Sequence, residues 1–230
     1  MKVKILRQVS PNSESYWETF NADVSGETSI AALLDFINYN DDIVDENGIS
    51  TTRIGWECSC LQGICGSCAM VINGVPSLAC ETFVKDFKND TITIKPLQKF
   101  NVIHDLIVDR TVIFENLKNT SMFIGEYKPE YISKKSKRIK EFEHQYNTAK
   151  CLKCGLCLEV CPNYVKGERF YGALFANDCY MVSARNTDKK DEIKKEYSKH
   201  FASGCSKSLS CMDVCPMKIK TIASIAKMNK

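Results

Sequence analysis

CLKCGLCLEVCP (residues 151–162) sets three cysteines at two-residue gaps, then a fourth after three residues, with a proline behind it. Three thiolates that close together on one loop grip three corners of a cubane iron–sulfur cluster, while the fourth, Cys161, held by its Cys-Pro turn, ligates a different cluster. A second run must then exist to complete the exchange, and CSKSLSCMDVCP (205–216) supplies it. By the same crossing, Cys215 returns to the first cluster. The expected ligands of a [4Fe–4S] cluster are therefore Cys151, Cys154, Cys157 and Cys215, which leaves Cys161, Cys205 and Cys211 for the other. A full second run would carry a cysteine at position 208, where Ser208 stands. Three thiolates suit a [3Fe–4S] cluster, a cubane lacking one corner iron.

A third group lies upstream. Cys60, Cys65 and Cys68 fall within nine residues, and Cys80 follows. Gaps of four and two residues before a distant fourth cysteine are the plant-type ferredoxin spacing of a [2Fe–2S] cluster. Gly63 and Gly66 give the loop freedom to curl, since glycine takes positive φ at little cost, and the curl turns backbone N–H groups toward sulfur. Zinc favours well-separated Cys-x2-Cys pairs, which these gaps are not. Cys58 has the wrong gap to Cys65 and reads as a bystander. Cys179 lies on an apolar helical stripe and reads as a buried core thiol. His104, His144 and His200 have no ligand spacing with the cysteines and read as ordinary surface or interdomain histidines.

The 13 cysteines among 230 residues could instead form a secreted disulfide framework. Against this, the N-terminus MKVKILRQVS lacks the apolar core of a secretion signal. No apolar run reaches the length of a membrane span. The chain is expected to be cytosolic, where thiols stay reduced and clustered cysteines bind metal. A net charge of +3 is too mild for a nucleic-acid binder, and the 44% hydrophobic content suffices for a core.

Around the cysteines the pattern is α+β. Lys2–Val9 alternates with Val3, Ile5 and Val9 on one face, and Ser15–Val24 fits a partner strand. Thr28 or Ser29 can cap a helix striped by Ile30, Leu33, Leu34 and Ile37. Asn73-Gly74 between Ala69–Ile72 and Val75–Leu78 predicts a hairpin, and Thr91–Lys95 a last strand. From Asn101 the signal turns helical, with an apolar stripe over Ile103–Leu117. The basic stretch Tyr131–His144 reads as a solvated helix face or linker, or as contact with an acidic partner or anionic lipid. Tyr171, Leu174, Phe175 and Val182 mark a helix, a polar segment spans Asp188–Lys199, and a closing helix carries Ile219, Ile222 and Ile225. Two domains are expected, residues 1–98 and 99–230.

In CLQGICGSCAMVINGVPSLAC (60–80), CLKCGLCLEVCP (151–162) and CSKSLSCMDVCP (205–216) the order and spacing resemble the iron–sulfur subunit of the succinate dehydrogenase/fumarate reductase family, over nearly the whole chain. The resemblance implies an N-terminal β-grasp [2Fe–2S] ferredoxin domain followed by an α-helical dicluster ferredoxin domain. It implies a non-catalytic electron-transfer subunit that docks on a flavoprotein carrying FAD. Electrons would pass through the [2Fe–2S], [4Fe–4S] and [3Fe–4S] clusters to a quinone at a membrane-anchor subunit. It places the chain peripherally on the cytoplasmic face of the cell membrane, without a transmembrane segment of its own. The chain has no G-x-G-x-x-G loop, so flavin and dicarboxylate belong to a partner. Two departures bear on the details. Leu61 and Gln62 replace the polar residues of many relatives. Asn163-Tyr164-Val165-Lys166 replaces the serine and paired tryptophans of ubiquinone-type members, which speaks against that type, and the CGLC stretch (154–157) with Phe170-Tyr171-Gly172 resembles fumarate reductases more closely.

Two other functions compete. The same wire could serve a soluble oxidoreductase with a different electron donor. The thiol-dependent fumarate reductases add a cysteine-rich C-terminal domain, whereas this chain ends 15 residues after Cys215. A structural zinc protein without redox activity is the other, and iron analysis separates it.

Overall fold

The computed structural model describes residues 1–119, 139–185 and 189–230. The chain divides into two compact units, Met1–Arg110 and Thr111–Lys230.

The first unit is built on β1 (Lys2–Arg7) and β2 (Tyr16–Asn21), then α1 (Ile30–Asn38), β3 (Ala69–Ile72), β4 (Val75–Leu78) and β5 (Thr91–Lys95). The five strands form one mixed sheet in the order β2-β1-β5-β3-β4. β1 runs parallel to β5, with Val3 opposite Ile92 and Ile5 opposite Ile94. Alternation along β1 buries Val3, Ile5 and Arg7. Val9, expected on the same face, lies beyond the strand end and is exposed. Ser29 caps α1, its Oγ accepting from the Ala32 N–H at 3.1 Å, and the stripe Ile30, Leu33, Leu34 and Ile37 is buried. Each such side chain contributes roughly 1.5–3 kcal/mol on leaving water. Asn73 and Gly74 both take positive φ, 45° and 81°, as a two-residue hairpin turn requires. A sheet with its first and fifth strands paired in parallel and one helix closing the core is the β-grasp arrangement.

Residues 101–109 correct the helical expectation. They form a hairpin of β6 (Asn101–His104) and β7 (Ile107–Asp109), and helix begins only at Thr111. The cause is Asp105, which turns the chain with φ 47° and is fully buried. Its carboxylate accepts from the N–H groups of Gln8 and Gly55 at 3.1 and 2.8 Å and pairs with Arg7 Nε at 2.9 Å. Arg7 also pairs with Glu18. This buried charge network holds the hairpin to β1, so residues 101–110 fold with the first unit.

The second unit is helical: α2 (Thr111–Asn119), α3 (Ile139–Ala149), α4 (Leu156–Glu159), α5 (Gly172–Arg185), α6 (Lys190–Tyr197), α7 (Ser210–Asp213) and α8 (Thr221–Met228). α5 is its centre, packed against α3, α4, α6 and α8. Phe175, Ala176 and Cys179 of α5 are buried, as are Ile225 and Met228 of α8. A π-turn, Ser198–Ala202, follows α6. Residues 131–138 of the basic stretch, and Asp188 at the head of the polar segment, lie outside the described residues. Among the described residues no helix is long and apolar enough to cross a membrane.

Candidate metal centres

The loop between α1 and β3 carries Cys60, Cys65 and Cys68, and a 3-10 turn after β4 (Ala79–Glu81) carries Cys80. The fold brings Cys68 Sγ to 3.4 Å from Cys80 Sγ. Leu61, Gly63 and Gly66 take positive φ, 53°, 70° and 82°. These turns aim backbone N–H groups inward: Gln62 donates to Cys60 Sγ and Gly63 to Cys80 Sγ, each at 3.3 Å. Burial would raise the Cys65 thiol, but the backbone N–H groups of Cys60 and Ser67 and both their side chains outweigh it and bring it down to about 6. Burial, then the neighbouring Cys68 thiol, pushes Cys80 up. Arg110 anchors the loop, donating to Ser67 O at 2.9 Å and pairing with Glu57 at 3.2 Å. Thiols crowded together under inward N–H donors suit metal-bound thiolates, whose negative sulfur those donors stabilise. Cys58 stays exposed on the same loop.

The second unit holds two pockets lined by cysteines of both runs. Cys151, Cys154 and Cys157 of the first run line one of them, and Cys215 of the second run joins them there. Cys205 and Cys211 line the other with Cys161 of the first run and Ser208. Cys211 borders both. The cysteine of each Cys-Pro turn thus sits in the other run's pocket. Both turns close alike, with the Tyr164 N–H donating to Cys161 O and the Lys218 N–H to Cys215 O. Burial pushes the Cys157 thiol well up and Cys211 up to about 11. Metal binding would therefore have to displace protons from these thiols. Among the described residues no three His, Cys, Asp or Glu side chains are arranged around a single metal ion.

The two runs share a backbone path. Lys153 and Gly155 are left-handed, with φ 56° and 88°, and so are Lys207 and Leu209, with φ 59° and 62°. These are the second and fourth residues after Cys151 and after Cys205 respectively. Each left-handed pair leads into a single helical turn, α4 capped by Gly155 and α7 capped by Leu209. Ser208 occupies in the second run the place that Cys154 occupies in the first. Leu209 holds a conformation that costs a non-glycine residue about 1 kcal/mol, a sign that the loop path is imposed on it.

Cys179 and the three histidines line neither pocket. Cys179 is fully buried on α5, where burial raises its thiol far above the ordinary range. His104 caps a loop carbonyl, Val9 O, at 3.0 Å. His144 contacts Ser224 Oγ at 3.1 Å, and burial, then Lys227 and Lys220, depresses its pKa. His200 is buried rather than on the surface, stacked on Tyr171 at 4.0 Å. Sequence reading missed Arg110 and also Asn177 and Thr221, which hydrogen-bond each other at 3.0 Å and line the first pocket. Their only signal was polarity within apolar stretches.

Comparison with known proteins gives the class. Residues 2–115 match a family described as a 2Fe-2S iron-sulfur cluster binding domain. Residues 126–218 match one described as a 4Fe-4S double cluster binding domain. The chain is thus an iron–sulfur protein with a [2Fe–2S] ferredoxin domain followed by a dicluster ferredoxin domain. The succinate dehydrogenase iron–sulfur subunit of Bacillus subtilis (strain 168) is 31% identical, over 98% of this chain and 90% of that protein. The fumarate reductase iron–sulfur subunit of Wolinella succinogenes is 35% identical, over 74% of each. A chain of the Mycobacterium smegmatis Sdh1 complex in the apo form shares the fold, with a TM-score of 0.77 at 22% identity, over 99% of this chain and 94% of that one. The chain belongs to the family of succinate dehydrogenase and fumarate reductase iron–sulfur subunits.

Proposed function

We propose that this chain is the non-catalytic electron-transfer subunit of a fumarate reductase/succinate dehydrogenase complex. It passes electrons between a flavoprotein subunit with FAD and a quinone held by a membrane-anchor subunit. The site of action is the cytoplasmic face of the cell membrane. Cys60, Cys65, Cys68 and Cys80 hold the [2Fe–2S] cluster. Cys151, Cys154, Cys157 and Cys215 hold the [4Fe–4S] cluster, and Cys161, Cys205 and Cys211 the [3Fe–4S] cluster. The observation that carries this reading is the exchange of Cys161 and Cys215 between the two pockets. Such an exchange would hold two clusters side by side in one small unit, as a relay requires.

Bound clusters supply one-electron redox steps at potentials set by ligands and surroundings. The chain's own residues hold the thiols in place, turn Gln62, Gly63 and Ser67 donors onto sulfur, and shield sulfur with Leu156, Phe170 and Phe201. The same reading leans toward fumarate reduction with a low-potential quinone, from Cys154-Gly155-Leu156-Cys157 and Phe170-Tyr171-Gly172.

Turnover separates this function from its rivals. The isolated subunit should neither oxidise succinate nor reduce fumarate, and activity with dyes or quinols should appear only with a co-purifying flavoprotein. Turnover by the flavin-free subunit alone would refute the assignment.

A further inference from the structure

Lys153 stands between Cys151 and Cys154 with φ 56°. That conformation lets its backbone N–H donate to the Cys151 sulfur. Its side chain reaches α5, where both carboxylate oxygens of Asp178 accept from Nζ. The two side chains are largely sheltered, 26% and 17% exposed. The pair therefore sets one cation and one anion beside the loop that carries Cys151 and Cys154. Holding four thiols around a cluster requires neither of them.

We propose that Lys153 and Asp178 form a compensated charge pair that sets the reduction potential of the [4Fe–4S] cluster. The inference rests on the reading of Cys151, Cys154, Cys157 and Cys215 as that cluster's ligands. Reduction adds one negative charge to the cluster. A nearby cation stabilises the reduced form and raises the potential, while an anion lowers it. Sheltered charges are screened little by salt, so neither effect is washed out. Lys153 carries its cation on the loop between two of the expected ligands, and Asp178 cancels part of its field.

The signs separate this role from a merely structural one. Asp178→Asn leaves Lys153 uncompensated and should move the potential up. Lys153→Gln removes the cation and should move it down. The double variant should fall between the two, and Lys153→Arg should keep the wild-type value. A pair that only ties the loop to α5 would shift both single variants the same way, or neither. The test is a redox titration of the reduced four-iron EPR signal in the purified flavoprotein-containing complex, with iron measured on each sample. Opposite shifts in the two single variants support the proposal, and shifts of one sign, or none, overturn it. If Asp178→Asn does not assemble, the comparison of Lys153→Gln with Lys153→Arg decides, and equal potentials overturn it. A wild-type complex with no four-iron signal would instead fail the ligand reading underneath, and the proposal with it.

Discussion

Ser208 concentrates the chemistry of the proposed trinuclear site in one atom. Serine's hydroxyl ionises far less readily than a thiol, so it leaves a corner of the pocket without a thiolate. The left-handed pair Lys207 and Leu209 repeats Lys153 and Gly155, so Ser208 sits where the first run places Cys154. Ser208→Cys should therefore bind a fourth iron, abolish the near-isotropic EPR signal of an oxidised three-iron cluster, and lower that cluster's potential. Oxidised wild type without that signal, and with two four-iron clusters by iron count, would show that Ser208 is not a vacant corner. At this scale the cysteine spacings were fully legible in sequence, because ligand gaps are a local property of the chain. Lys153–Asp178 and Asn177–Thr221 were not. Each joins residues 25 or 44 positions apart, and their pairing exists only once α5 is packed.

The strands and helices show the same division between local and distant causes. The Asn73-Gly74 hairpin, the Thr91–Lys95 strand and the Ser29-capped helix followed directly from turn chemistry, alternation and capping. The β6–β7 hairpin did not. Leu106, Ile113 and Leu117 mimic a helical stripe, and what breaks it is a buried carboxylate whose partner, Arg7, lies at the far end of the unit's sequence. Removing that carboxylate leaves a buried guanidinium short of a partner. Asp105→Ala should destabilise the first unit by about 3 kcal/mol, the usual result of breaking a buried ion pair from one side. Urea unfolding followed by fluorescence reads this unit directly, since Trp17 and Trp56 both lie in it, and the midpoint should fall by about 1–3 M. The exposed Lys2–Glu46 pair, with 56% and 31% of its side chains open to solvent, is the control, and Lys2→Ala should move the midpoint hardly at all. Equal, small shifts in both variants would mean that the Arg7–Asp105 network does not hold the hairpin.

At the scale of the molecule, two units of different architecture each build cysteine loops from left-handed turns and inward N–H groups. Domain class and family were legible from three motifs because clusters demand fixed ligand gaps. The division after Arg110 was not, since it depends on where the hairpin packs. Whether this one chain carries three clusters on its 11 assigned cysteines is decided by metal analysis of the native complex under anaerobic conditions. The result expected is about nine irons and about ten acid-labile sulfides per chain, together with EPR signals from three distinct clusters. Stoichiometric zinc with little iron, in a colourless protein, would contradict it.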